Sequence, residues 1–360
     1  MPQSLLPQQD HGIVSSEPWG AADRRPDQGY PRTMSNRAVA AGVGLARVMA
    51  HCGGSPSAAV HYLAGAIASA PENPEPYAVL AELWRDKPSE LAEVVRGADS
   101  LRTVLAQSYI SFLEGDMNGA ALAIGSVTGV RPDITWAKAP WFSDARFLGV
   151  VSADALAEAA MRTMDYGHGL DTESMRERFR PWFRAIDVVA ARQPLPEALA
   201  KMAILLRTCG LTDASFALCD QADSVERIML TEVVRAGTWR KLGDLQQTVA
   251  AFERALALDP ANWSLYLDLA DVRAEQGDFT SAVRLIDQGM RYEPAELSLR
   301  AAGAAYRARL TGSPADLSEL IELAPNLPND SYRDLLIDHA CAGPALPAEL
   351  VAAARRIQNS

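Results

Sequence analysis

Trp239-Arg240-Lys241-Leu242-Gly243-Asp244, followed after ten residues by Ala255-Leu256-Ala257-Leu258-Asp259-Pro260, is the stretch that decides the fold. Gly243 precedes Pro260 by 17 residues, and Gly277 precedes Pro294 by the same 17. The two prolines are 34 residues apart. The spacing recurs at Gly115 and Pro132, and at Gly54 and Pro71. Eight residues before each proline stands a bulky apolar residue: Phe252, Ile286, Ile124 and Leu63. Twelve before it stands a small one: Thr248, Ala282, Ala120 and Ala59. A fixed period of this length is the sequence mark of a repeat architecture.

Each position has a physical reason. Glycine closes a helix because the left-handed turn carries no Cβ penalty there. Asp244, Asp278 and Asp116, next to three of the glycines, are placed to cap the following helix. The small residue lets two helices approach, and the bulky one fills the space between them. Proline ends the second helix, since it cannot continue the hydrogen-bond ladder. The unit predicted is a helix, a tight turn, an antiparallel helix and a stop.

On these residues the chain resembles the tetratricopeptide repeat family. The resemblance is strong over 229–296, fair over 40–73 and 101–134, and weak elsewhere. It implies an all-α fold, an α-solenoid of antiparallel helix pairs forming a superhelix. The early tryptophan usual in the family is Glu232 in one copy and Tyr266 in the next. The packing of those first helices is therefore expected to depart from the family standard.

Working outward, residues 36–134 read as N-terminal repeats, with a first pair at 36–73, a shortened pair at 74–100 broken at Pro88, and a third at 101–134. Residues 135–228 keep helical periodicity but lose the register. Residues 229–325 read as C-terminal repeats, two regular and a truncated one from 297. Residues 326–360 read as capping helices that close the exposed end of the core. Residues 1–35 hold Pro2, Pro7, Pro18, Pro26 and Pro31 among Gln, Ser, Gly and Asp, and are expected to be a disordered tail. No stretch shows the alternation of a strand or the turn of a hairpin.

Composition bounds the function. The chain has 360 residues, 48% of them hydrophobic, and a net charge of −11, which argues against a general nucleic-acid binder. Four cysteines make no disulfide framework, and Cys209 and Cys219 are expected to be buried thiols. The first ten residues lack the charged and apolar regions of a secretory signal, and no apolar run is long enough to span a membrane. A cytoplasmic location is the expectation.

The search for chemistry finds no phosphate-binding loop, no HExxH, no GxSxG and no calcium loop. Gly42-Val43-Gly44 starts like a dinucleotide loop but lacks the third glycine and lies in a helical pattern. His11, His51, His61, His168 and His339 have no metal-ligand spacing. No catalytic residue, metal site or cofactor is assigned.

Two candidate sites remain. Trp136, Trp141, Tyr166 and Trp182, with Arg180, fall within 47 residues of the irregular middle. Aromatics with arginine can line a pocket for a flat or anionic ligand, which would make the chain a sensor or an unusual enzyme. The other reading is that a register break needs large side chains to fill it.

The second site follows from the resemblance, which implies that a partner segment binds on the concave face made by first helices. The residues expected there are Leu230, Val233, Val234, Arg240 and Lys241, then Asp268, Asp271 and Glu275. The first group is apolar with a basic end. The second is acidic at helical spacing. No Asn–Lys pair accompanies them, so this is not the carboxylate-holding cluster of one family subclass. The pattern suits a protein or peptide partner with apolar and basic residues, and a scaffold or adaptor without catalysis.

Overall fold

The computed structural model describes residues 36–51, 56–86, 88–96, 101–164 and 169–358. The tail expected over 1–35 lies outside them, as do Gly54 and Tyr166. Of the described residues, 80% are helical, and none is in a strand. They fall into two compact units, divided between Arg227 and Ile228.

The first unit begins with three helix pairs. They are α1 (Asn36–His51) with α2 (Pro56–Ser69), α3 (Pro74–Asp86) with α4 (Pro88–Arg96), and α5 (Leu101–Glu114) with α6 (Met117–Val130). Pro88 opens α4, since its missing N–H costs nothing at a helix start. The register then breaks. Two short 3-10 turns, Trp136–Lys138 and Pro140–Ser143, lead into α7 (Ala145–Val150) and α8 (Ala153–Arg162). The unit ends with α9 (Glu173–Ala190), α10 (Pro196–Thr208) and α11 (Thr212–Val225).

The second unit is a stack of pairs. It comprises α12 (Met229–Lys241) with α13 (Leu245–Leu258), α14 (Trp263–Glu275) with α15 (Phe279–Gly289), α16 (Leu297–Thr311) with α17 (Pro314–Leu323), and then α18 (Asp330–Cys341) and α19 (Ala348–Gln358). The repeat that begins at 297 pairs α16 with α17, and α17 has only ten residues against the fourteen of α13. Pro314 opens α17 and supplies the start that the repeat pattern did not foresee.

The repeat chemistry is met atom by atom. Gly115, Gly243 and Gly277 have φ of 90°, 78° and 80°. At each, two backbone N–H groups turn back onto the last helical carbonyls, as in Asp244 N–H to the Trp239 carbonyl (3.0 Å) and Gly243 N–H to the Arg240 carbonyl (2.9 Å). Asp116, Asp244 and Asp278 each accept a backbone N–H, from Gly119, Gln247 and Ser281. Gly210 makes the same turn at φ 79°, although Leu211 follows it and offers no side-chain cap. The small and bulky repeat positions are all buried. A further repeat feature emerges at the prolines. The Tyr77 and Tyr266 hydroxyls, each six residues on, donate to the Pro71 and Pro260 carbonyls at 3.0 and 2.9 Å.

Glu232, standing where the family has tryptophan, is buried. Arg254 Nε donates to it at 2.9 Å and Arg235 lies 3.5 Å away. An ion pair therefore takes the place of a ring between α12 and α13.

Candidate functional site

The irregular middle assembles as core. Trp136, Trp141 and Trp182 are all buried. Trp141 meets Phe112, Phe142 and Phe147 at centroid distances of 5.7, 5.8 and 5.3 Å, and Phe142 meets Trp182 at 4.9 Å. Such edge and tilted contacts are the arrangements aromatic rings prefer. Arg180 does not join them. Its side chain is 73% exposed and pairs with Glu177. The expected constellation of tryptophans and Arg180 is thus not brought together by the described residues. The physical reason is that the turns replacing a regular helix leave a gap, and the rings fill it.

Other arginines of this region act on backbone. Arg146 donates to the Phe112 and Leu113 carbonyls at 2.8 and 3.1 Å, with its guanidinium 4.9 Å from the centre of the Phe112 ring. Arg192 donates to the Gly149 and Val151 carbonyls at 2.9 and 2.6 Å. They satisfy the carbonyls that the ends of α5 and α7 leave without intrahelical partners. The Trp182 indole N–H is buried without an acceptor.

The expected partner-binding face divides differently. Val233 and Val234 are 3% and 0% exposed and sit in the core, so they present no floor to a ligand. This corrects the sequence reading. The stripe they share along α12 is apolar because it packs inward, and periodicity alone does not say which stripe faces out. Leu230 is half-buried, and Lys241 is exposed.

The acidic stripe of α14 is where polar groups converge. Asp268 and Asp271 are only 6% and 8% exposed, and Glu275, one turn further, is exposed. Asp271 Oδ1 accepts from the Tyr306 hydroxyl of α16 at 2.5 Å and from the Tyr332 hydroxyl of α18 at 3.2 Å. Glu275 is paired with Arg240 of α12 through Nη2. Arg240 Nη1 is buried with no acceptor. His339 of α18 lies against Phe279 and Tyr306, with ring centroids at 5.4 and 5.9 Å. One carboxylate thus ties the first helices α14, α16 and α18, and an ion pair ties α12 to α14. Tyr306 and Tyr332 were outside the sequence reading. The available signal was spacing, since Tyr306 follows Asp271 by 35 residues, about one repeat.

Burial governs the titration of this cluster. It pushes the Asp271 carboxyl up to about 6, against the opposing pull of the Tyr306 hydroxyl, Arg240 and the Tyr332 hydroxyl. Burial, then the Asp271 charge, raises both phenols well above the usual tyrosine range. Burial and then Arg309 lower His339, which favours the neutral imidazole.

A stability prediction follows for Asp271. Its folded value lies above the 3.8 of an unperturbed aspartate, so the folded state holds the proton more tightly. Its contribution to stability is full below pH ~4 and is lost as pH rises through about 6. Asp271→Asn is expected to raise stability at pH 7 by about 1–3 kcal/mol, with the gain vanishing near pH 4. Urea unfolding of both proteins across pH 4–8 checks this. A difference that does not change with pH would refute it.

Among the described residues, no group of His, Cys, Asp and Glu could hold a metal ion, and no helix is long and apolar enough to cross a membrane. No curated protein sequence matches the chain. Among solved structures, the crystal structure of MamA protein is similar at 14% identity and a TM-score of 0.32, covering 51% of this chain and 91% of that one. A tetratricopeptide repeat protein from Parabacteroides merdae ATCC 43184 is similar at 13% identity and a TM-score of 0.36, covering 90% and 100%. Yeast Tom70 is similar at 14% identity and a TM-score of 0.35, covering 91% and 77%. Residues 240–306, which run from the end of α12 into α16, match the sequence model of the family described as tetratricopeptide repeat. With that match and the repeat geometry of the glycine turns and aspartate caps, residues 240–306 are a tetratricopeptide repeat segment.

Proposed function

We propose that the chain is a protein-interaction scaffold or adaptor, and that the second unit binds a partner segment along the face shared by α12, α14, α16 and α18. The observation that supports this reading is the buried polar cluster around Asp271. A buried carboxylate held in a charge state it disfavours is a liability in a purely structural role, because neutral Asn would keep the same hydrogen-bond acceptor. Leu230 and Lys241 lie on the helix that also carries Arg240, and Asp268 and Glu275 flank Asp271. A partner with basic and apolar residues complements that set. Catalysis has no place in this reading.

Charge of this kind tunes association and its salt dependence. Because Asp268 and Asp271 are buried, neutral isosteres are the suitable test. The variant Asp268→Asn, Asp271→Asn, Glu275→Gln is expected to weaken binding of a partner captured by the native chain by roughly tenfold. The salt dependence of that binding is expected to flatten as well. Capture from native lysate on both proteins, followed by titration calorimetry at two salt concentrations, measures both. A partner that binds the variant with unchanged affinity and unchanged salt dependence places the site elsewhere.

A further inference from the structure

The helix that opens the described chain, α1, is apolar on two sides. Val39, Val43 and Ala46 are buried, and α1 packs against α2 and α3. At about 100° per residue, Ala40, Ala41, Gly44, Leu45 and Val48 gather on the opposite side. All five are exposed, Leu45 at 47% and Val48 at 58%. A Cβ added to Gly44 would meet nothing within 4 Å, so this side is open. Arg37 stands on the same side, and Arg47, at its edge, pairs with Glu75 of α3 at 3.3 Å. A helix apolar all round belongs in an interior, and the end helix of a repeat stack needs a polar outer face. At the other end of the described chain, α19 meets that need by exposing Glu349, Arg355 and Arg356. The outer side of α1 does not, and it calls for a cover.

The chain itself supplies one. Residues 1–35 join α1 at Asn36, and their apolar residues include Ile13, Val14 and Trp19. Extended, Ile13 to Trp19 spans about 20 Å, against about 17 Å along the helix from Arg37 to Val48. Glu17, inside that run, complements Arg37 on the helix. Residues 20–35 are long enough to double back over a helix of about 24 Å, and Gly20, Pro26, Gly29 and Pro31 supply turn residues. A second copy is a poorer fit. One side of α1 outlines roughly 250 Å², well short of the ~800 Å² that each partner gives to a stable interface. A tethered segment needs less area, because its effective concentration is already high. The composition of residues 1–35 is compatible with this, since a segment without a core of its own can still order on an apolar surface.

We infer that residues 13–19 of the same chain lie along Ala41, Gly44, Leu45 and Val48 of α1, anchored by Ile13, Val14 and Trp19, and cap the open end of the first unit. Glutamyl endopeptidase tests this on the full chain, with cleavage after Glu17 followed by mass spectrometry. A synthetic peptide of residues 1–35 gives the unprotected rate. Cleavage in the chain is expected to be at least about tenfold slower than in the peptide. Leu45→Gln with Val48→Gln should bring it back to within about twofold of the peptide, since both residues are exposed and the fold is kept. Circular dichroism checks that fold. Trp19→Ala should do the same with α1 untouched. A chain cut as fast as the peptide overturns the inference. So does slow cleavage that neither the α1 variant nor Trp19→Ala relieves. Protection lost on dilution from about 50 to about 1 µM overturns it as well, because the cover would then come from a second copy.

Discussion

Phe252→Ala is expected to destabilise the second unit by about 3–5 kcal/mol, the range for deleting a buried aromatic ring. Phe252 is 1% exposed in the core shared by α12 to α16, together with Ala236, Leu265, Leu269 and Ala282. The cost has two parts, the lost transfer of the ring out of water and the cavity left behind. Neighbouring residues come from separate helices pinned by their caps, which limits collapse into the cavity. Repeats are stabilised through their neighbours, so the loss should spread beyond α13. Hydrogen exchange is expected to speed up in α14 and α15 as well as in α13. Chemical denaturation gives the magnitude. A loss below ~1 kcal/mol, or faster exchange confined to α13, would show that this ring does not join the repeats.

Gly312→Ala is expected to be the next largest single loss, about 2–4 kcal/mol. Gly312 ends α16 in the left-handed conformation, with φ 68° and ψ 26°. A Cβ there would lie 1.9 Å from the Pro344 carbonyl oxygen, which is backbone and cannot swing aside. The segment after α18 is held against α16 from the other direction too, since a Cβ on Gly343 would lie 2.4 Å from the Ala308 carbonyl oxygen. Relief of the clash must move that segment and, with it, the seat of α18 and α19. Gly243→Ala separates the two contributions. Gly243 has nearly the same backbone, φ 78°, with nothing within 4 Å of an added Cβ. Its substitution should cost about 1 kcal/mol, from conformation alone. Thermal unfolding of both variants measures the difference. Equal losses would show that the Pro344 contact carries no weight.

Glycine, aspartate and proline acted locally, and for that reason they were legible. Gly243 turns left-handed and Asp244 caps α13 through atoms a few residues away, whatever the rest of the chain does. The bulky and small positions were legible for a related reason, because a helix pair joined by a tight turn has one inner stripe. Thus the all-α class, the pair boundaries near 73, 134 and 296, and the burial of Phe252 could be read from residues alone. The register break at 135 was visible as a loss of spacing. Its filling was not, since a cluster such as Phe112, Trp141 and Phe142 joins residues from a helix and a turn.

The site depended on what the helices meet. Leu230, Val233 and Val234 share a stripe by periodicity, yet only packing shows that the valines turn into the core. Asp268, Asp271 and Glu275 read as one acidic wall, but Asp271 lies under two phenols that arrive from 35 and 61 residues further along. Sequence alone determined the repeat, because its signals act within one helical turn of themselves. Tertiary structure decided the chemistry of the face, because burial and the choice of hydrogen-bond partner arise only when separate helices are laid side by side.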